Sequence, residues 1–214
     1  LDESSKSVGN DFRINKFRAV TPPGVPLRME NYGLLWNWPH KGIVYDEQTK
    51  MRKHAYGGQP ETRVACSLSH YELWDMCAKG DEPFLILEHD AKFTKKLDIK
   101  MLDKIKDSRY GVIGLNDPRG ATRLAQVFHQ RVTDNPGILQ DVPTIDRMEV
   151  PQGIAGASAY IIKPRAARTV IEACHEYGLW PNDAIICQQL FDFIGVTRTY
   201  YTTVQGLKST TSGL

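Results

Sequence analysis

Glu88 and Asp90 stand one residue apart at the end of the apolar run Phe84-Leu85-Ile86-Leu87. In an extended segment, side chains at i and i+2 point the same way. Both carboxylates can then approach one hard divalent cation, Mg²⁺ or Mn²⁺, and through it the oxygens of a diphosphate. The end of a buried strand is also where α/β sheets bind their ligands. E-x-D is a weak pattern by itself, and its alternative is the polar start of a loop. Against that, two acids flanking His89 directly after F-L-I-L are awkward to bury without a cation or hydrogen-bond partners.

Other residues invite a similar double reading. His70 shares a helix face with Cys66, Ser69, Leu73 and Cys77. It is either a satisfied core histidine or, with Ser69, a group that reaches a nucleotide or phosphate beside the strand edge. Asp183 follows Trp180-Pro181-Asn182 and precedes a helical pattern. Either Asn182 or Asp183 caps that helix, or Asp183 is the carboxylate that takes the proton from an acceptor hydroxyl. Gly153 and Gly156 read first as turn glycines, and no G-x-G-x-x-G or P-loop lysine pattern accompanies them. Trp36, Trp38, His40 and Lys41, with Arg52, Lys53 and His54, are either a solvated loop or a surface that stacks on a sugar or nucleic-acid acceptor.

Positioning these groups requires the following elements. A strand is expected over 12–20, ended by Thr21-Pro22-Pro23-Gly24. A long loop insertion without steady period follows, around 24–62. Helical spacing predicts a helix over 62–79, stopped by Gly80-Asp81, and then the buried strand 83–87 that delivers Glu88-His89-Asp90. A short amphipathic helix (97–106), a second buried strand (110–115) and a turn beginning at Asn116 come next. Residues 121–152 read mostly as loop. A strand over 157–163 leads into a helix from Pro164 to Tyr177, ended by Gly178. A further helix is expected through Phe193, then a terminal strand over 196–204. Helices alternating with buried strands predict an α/β fold with a mostly parallel central sheet flanked by helices.

At 214 residues the chain is long enough for one sizeable core, and a single domain spanning 1–214 is expected. With 41% hydrophobic and 24% charged residues it is neither disordered nor fibrous, and a net charge of +2 is too small to argue for nucleic acid. No apolar stretch approaches the roughly 20 residues that cross a bilayer. A soluble, cytoplasmic protein of a bacterial or virus-infected cell is expected, with no obligate protein partner evident. The four cysteines, Cys66, Cys77, Cys174 and Cys187, lack C-x-x-C spacing and read as buried thiols.

Cys66-Ser67-Leu68-Ser69-His70, with Trp74 four residues on, followed by Phe84-Leu85-Ile86-Leu87-Glu88-His89-Asp90-Ala91, resembles glycosyltransferase family 25, the lipooligosaccharide and collagen galactosyltransferase type. That family shows a C-x-x-S-H helix and a strand ending in L-E-D-D-(A/V), and here His89 replaces the middle Asp. The segment Gly156-Ala157-Ser158-Ala159-Tyr160-Ile161-Ile162 is similar to the family's G-x-x-x-Y segment, and Pro181-Asn182-Asp183 to its P-x-D. Val204-Gln205 with Ser209 looks like its final strand and tail. The family's N-L-D-R-like opening turn has Leu1-Asp2 as its counterpart. The long Trp-rich insertion is unlike the bacterial members, and the overall look is closer to divergent, virus-like versions.

The resemblance implies a single GT-A type, Rossmann-like domain. It also implies a UDP-sugar donor, a divalent metal (Mn²⁺ or Mg²⁺) and inversion at the anomeric carbon. It makes Asp90 a metal ligand assisted by Glu88. Ser69, His70, Glu88, His89, Asn116 and Tyr160 fall on the donor side, Trp180 and Asn182 on the acceptor side, and Asp183 becomes the candidate base. The acceptor it implies is a glycan or lipopolysaccharide. A virus-like member would instead modify a hydroxymethylated base in DNA, for which Lys50, Arg52, Lys53 and His54 would contact phosphates. Two readings from other classes are a non-catalytic glycan- or nucleotide-binding module on the same fold and a metal-dependent phosphoesterase.

Overall fold

The structure, a computed structural model, describes residues 6, 7, 12, 14–119 and 124–206. Leu1-Asp2 and Ser209, which figure in the resemblance above, lie outside the described residues.

Residues 14–20 run without regular structure, in place of the expected strand. Among the described residues no strand pairs with them, and the segment is held at its end by Val20, which is buried and donates its amide to Ser69 Oγ at 2.9 Å. The 24–62 insertion is more ordered than its composition suggests. Helix α1 (Val25–Tyr32) has Pro26 in its first turn and closes on Gly33 at φ 62°, a conformation that favours a residue without Cβ. It is followed by an antiparallel hairpin of β1 (Ile43–Asp46) and β2 (Met51–His54). Asp46 Oδ1 accepts from the amides of Gln48 and Thr49, which sets the turn between them.

Helix α2 (Pro60–Ala78), with proline in its first turn, leads to β3 (Phe84–Leu87) and the short β4 (Ala91–Phe93). Helix α3 (Ile99–Asp107) is capped by Asp98, whose side chain accepts from the Met101 amide at 2.9 Å, and β5 (Val112–Gly114) follows. The stretch read as loop contains helix α4 (Ala125–Asp134) and strand β6 (Leu139–Asp141). Then come β7 (Ala159–Ile162), helix α5 (Pro164–Tyr177) and the single turn α6 (Asn182–Ile185). The chain ends its described part with β8 (Ile194–Thr197) and β9 (Thr202–Val204), two strands where one was expected.

The central sheet has the order β3-β7-β5-β8-β6. It is mixed rather than mostly parallel: β7 runs antiparallel to both β3 and β5, β6 runs antiparallel to β8, and only β5 and β8 are parallel. Short apolar strands covered on both faces read alike in either direction, which is why the expectation fails. Covering is visible residue by residue. Tyr160 and Ile162 of β7 point into one core with α2 and α5, while Ala159 and Ile161 point into the other with Met101 and Ile105 of α3. β7 therefore brings the Ser158 end of its segment alongside the C-terminal ends of β3 and β5, where the candidate acids emerge.

Candidate functional site

Four segments converge beyond β3. Arg63, Cys66 and His70 lie on successive turns of α2, and Tyr56 stands just ahead of that helix. Residues 88–91 follow β3, and Asn182 and Asp183 open α6. The Glu88 to Asp90 segment is not extended. Ala91 N donates to Glu88 O at 3.1 Å, a tight turn that leaves the two acids in different surroundings. The i, i+2 argument for one shared cation therefore does not describe the backbone here.

Glu88 turns toward α2. Its Oε1 lies 3.1 Å from His70 Nε2, and His70 Nδ1 lies 2.7 Å from the Tyr160 hydroxyl, which also accepts from Trp74 Nε1 at 2.7 Å. Burial works against a charged His70, but Tyr160, Cys66 and Glu88 outweigh it and hold its pKa well above the ordinary imidazole value. Burial likewise pushes Glu88 up, and the hydrogen bond from His70 pulls it below the ordinary carboxylate range. The two directions agree on an imidazolium held against a carboxylate. His70 is thus both a buried, satisfied histidine and the group that fixes Glu88.

Asp90 is the opposite case. Its Oδ1 is buried and has no hydrogen-bond partner. Burial, and then the neighbouring Glu88 charge, raise its pKa above the ordinary value. Asn116 Oδ1, Ser158 Oγ and Thr202 Oγ1 are buried without partners as well. These residues flank one another through the backbone: Glu88 N donates to Ser158 O, Asn116 forms a bridge with Thr202, and Gln205 N donates to Asp90 O. Orphaned buried oxygens cost free energy unless a ligand satisfies them. Hard oxygens of this kind, with a carboxylate among them, fit Mg²⁺ or Mn²⁺ and the polar groups of a nucleotide sugar.

Asp183 is half-buried at the second position of α6. The N-cap position of α6 is held by Pro181, so neither Asn182 nor Asp183 occupies it. Burial is the largest influence on Asp183 and raises its pKa; Arg63 opposes this, Glu88 adds to it, and a hydrogen bond with Tyr56 lowers it. Arg63 itself lies over the Tyr56 ring, 4.6 Å from its centroid. Asn182 Oδ1 accepts from the Cys66 thiol at 3.8 Å, and its side chain also hydrogen-bonds Glu88. Cys66, His70 and Glu88 place their ligand atoms within 4.8 Å of one another; of the three, only Cys66 reads from the sequence as a plain core residue.

The remaining predicted residues are placed less favourably for chemistry. Ser69 is buried, with Oγ accepting from Val20 N and donating to Ala65 O, so its hydrogen bonds are used inside the fold. Tyr160 is fully enclosed and acts through His70. Trp180 is also fully enclosed, with Lys53 Nζ 3.9 Å from its ring centroid and its own Nε1 donated to Tyr177 O. His89 is exposed. Sequence reading missed Arg63, Cys66 and Tyr56. The i, i+4 spacing of Cys66 and His70 and the basic residue one turn earlier were the available signals for two of them; Tyr56 left none.

Gly153, read as a turn glycine, packs against the backbone of α6. A Cβ there would stand 2.6 Å from Asp183 O and 2.8 Å from Ile186 O. Gly153→Ala is expected to displace Asp183 and lower kcat for sugar transfer on the order of a hundredfold, the scale of a 1 Å misplacement. Its expected stability cost is only about 1–3 kcal/mol. Parallel measurement of transfer rate and urea midpoint separates the two, and an unchanged kcat would show that the helix position does not matter to the reaction.

A mixed sheet with acids and orphaned oxygens beyond its central strands is the kind of scaffold on which α/β enzymes bind polar ligands. The family model described as Glycosyltransferase family 25 (LPS biosynthesis protein) matches residues 47–186, most of the chain, which therefore belongs to that family and is a glycosyltransferase. No curated protein matches it. Among the described residues no helix is long and apolar enough to cross a membrane.

Proposed function

We propose that this glycosyltransferase moves a hexose from a UDP-sugar to an acceptor hydroxyl with inversion, aided by Mn²⁺ or Mg²⁺. The observation that carries the donor half is Asp90 Oδ1, buried and without a hydrogen-bond partner, while the orphaned oxygens of Asn116, Ser158 and Thr202 stand on neighbouring backbone segments. Asp90 would hold the metal, and Asn116 would face the donor. A bound divalent ion would supply charge stabilisation for the departing diphosphate. Glu88, pinned by His70 and Asn182, assists by fixing the negative field behind Asp90.

Asp183 takes the acceptor proton as the acceptor oxygen bonds to the anomeric carbon and the carbon–phosphate oxygen bond breaks, releasing UDP. A carboxylate whose pKa is raised by burial is a stronger base than an exposed one, which suits this role. Glu88 is a neighbour of both Asp90 and Asp183, in keeping with a sugar bound between them.

A glycan acceptor fits the surface better than DNA. Of the four side chains suited to phosphates, Lys53 is buried, Arg52 pairs with Glu149 at 2.9 Å and Lys50 pairs with Glu47 at 3.1 Å. The test is release of UDP from a panel of UDP-sugars with Mn²⁺, with Mg²⁺ and with chelator. Turnover of one sugar that needs the metal, and a loss of that metal dependence in Asp90→Ala, are the expected results. Equal turnover in chelator would remove the metal from the reading, and no turnover of any UDP-sugar would remove the donor.

A further inference from the structure

At the start of the family-matched span and just ahead of it, the chain builds a second concavity. An open cleft of ≈ 440 Å³ lies between the Trp36–Pro39 loop and the hairpin, lined by Trp36, Trp38, Val44, Tyr45, Glu47 and Lys53 among others. That volume falls within the roughly 300–1,000 Å³ of small-molecule sites. We propose that it is a saccharide subsite, holding one uncharged hexopyranose ring of the acceptor glycan against Trp36 and Tyr45. The proposal rests on the glycosyltransferase reading only in assigning the ring to the acceptor.

The lining chemistry selects the ligand. Val44 and Tyr45 of β1 are 50% and 45% exposed and offer apolar surface to solvent. With Trp36 they offer the flat apolar contact that the C–H face of a pyranose needs. Polar groups stand among them. Trp36 Nε1 is buried with no hydrogen-bond partner, a donor suited to a sugar hydroxyl.

Charge argues against an anion. The Lys53 ammonium is consumed by Asp46 Oδ2, by Asn37 O at 3.0 Å and by the Trp180 ring, and the acid beside it, Glu47, is matched by Lys50. The lining is thus balanced, which favours a neutral hydroxylated ligand over a phosphate chain. The same ties make the cleft preformed, because Lys53 locks the hairpin to the Trp180 wall, and a preformed site loses less on binding.

Position links the cleft to transfer. Trp38, on its wall, packs against Trp180 (ring centroids 5.4 Å apart) and Tyr56 (5.7 Å), and Tyr56 hydrogen-bonds Asp183. An acceptor whose reacting hydroxyl meets Asp183 can therefore extend its neighbouring residues past Tyr56 and Trp38 toward the cleft.

The experiment titrates lactose, cellobiose and maltose, and separately a single-stranded oligonucleotide, into the full chain while following saturation-transfer NMR. Wild type is compared with Tyr45→Ala, an exposed strand position, and with Trp36→Ala. At least one disaccharide is expected to bind in the millimolar range, and each substitution to weaken it about tenfold, the scale of one lost aromatic stack. Absence of disaccharide binding, affinity equal in the variants, or binding of the oligonucleotide in its place overturns the proposal. Metal-dependent UDP release by the wild type, measured on the same preparation, reports the donor site independently. UDP release without disaccharide binding removes the cleft alone, and variant-sensitive disaccharide binding without UDP release removes the donor reading alone.

Discussion

Asp183→Asn is expected to lower sugar transfer by about 10²–10⁴-fold, the usual contribution of a positioned general base, while UDP-sugar affinity stays within about twofold, since an isosteric amide leaves binding contacts almost intact. The amide keeps the shape and can still accept from Tyr56, but it cannot take a proton. The wild-type rate carries a second mark of the same group. Burial raises the Asp183 pKa, so the acid limb of kcat/KM, where the base becomes protonated, should lie above the ordinary carboxylate value of 3.8. That limb should vanish in Asp183→Asn. A variant with the full rate, or one that keeps the acid limb, would assign the proton to another group.

Lys53→Ala is expected to destabilise the fold by about 3–5 kcal/mol, the cost of breaking a buried ion pair from one side. The Lys53 side chain is only 1% exposed and that of Asp46 11%. Truncation leaves Asp46 without its counterion and opens a hole against Trp180. Lys53→Met fills the hole and should cost less, and Lys53→Met with Asp46→Asn should approach the wild-type urea midpoint. If Lys53→Ala matches wild type, the pair is solvated after all. The pH dependence has a definite sign. Burial pushes Asp46 up, but hydrogen bonds from Lys53 and the Thr49 amide outweigh it and leave its pKa below 3.8. The stability it contributes is complete above the unfolded value of 3.8 and is lost as pH falls through the lower folded value. Lys53 is lowered by burial, so its ammonium carries a cost at neutral pH that is relieved as pH rises through its folded pKa. Lys53→Ala should therefore flatten the stability profile at both ends.

Much of the scaffold was legible because local chemistry decided it. The expected helix over 62–79 is α2, and the expected 83–87 strand is β3, each bounded by the prolines and glycines that mark them. Helix α5 runs from Pro164 to Tyr177 as read. Helix α4 was hidden because its buried face is only Phe128 and Val132, while Val127 just before them is exposed and blurs the period. The β1 strand was hidden for a related reason, since Ile43, Val44 and Tyr45 are all exposed and give no alternation. The helix expected through Phe193 is one turn, because residues 186–191 bend back to hydrogen-bond the Gln152 segment.

At the candidate site, residue type singles out the acids, and the structure gives them different surroundings. Glu88 and Asp90 were legible from their place after β3. The turn that separates them was not, because it depends on β4 pairing with β9, more than a hundred residues away in the chain. The same non-local pairing hides the network of His70, Tyr160 and Trp74, which needs β7 beside α2.

The place of β7 between β3 and β5 also dictates an order of assembly. Both earlier strands are made well before Ile162 leaves the ribosome, and neither pairs with the other in the finished sheet. Until β7 arrives, each presents an open edge of Leu, Ile and Val, the kind of edge that recruits other chains. A nascent chain halted between Leu115 and Ala159 should therefore be the most aggregation-prone length of this protein. The orphaned oxygens of Ser158 and Thr202 come into register only after that hazard has passed.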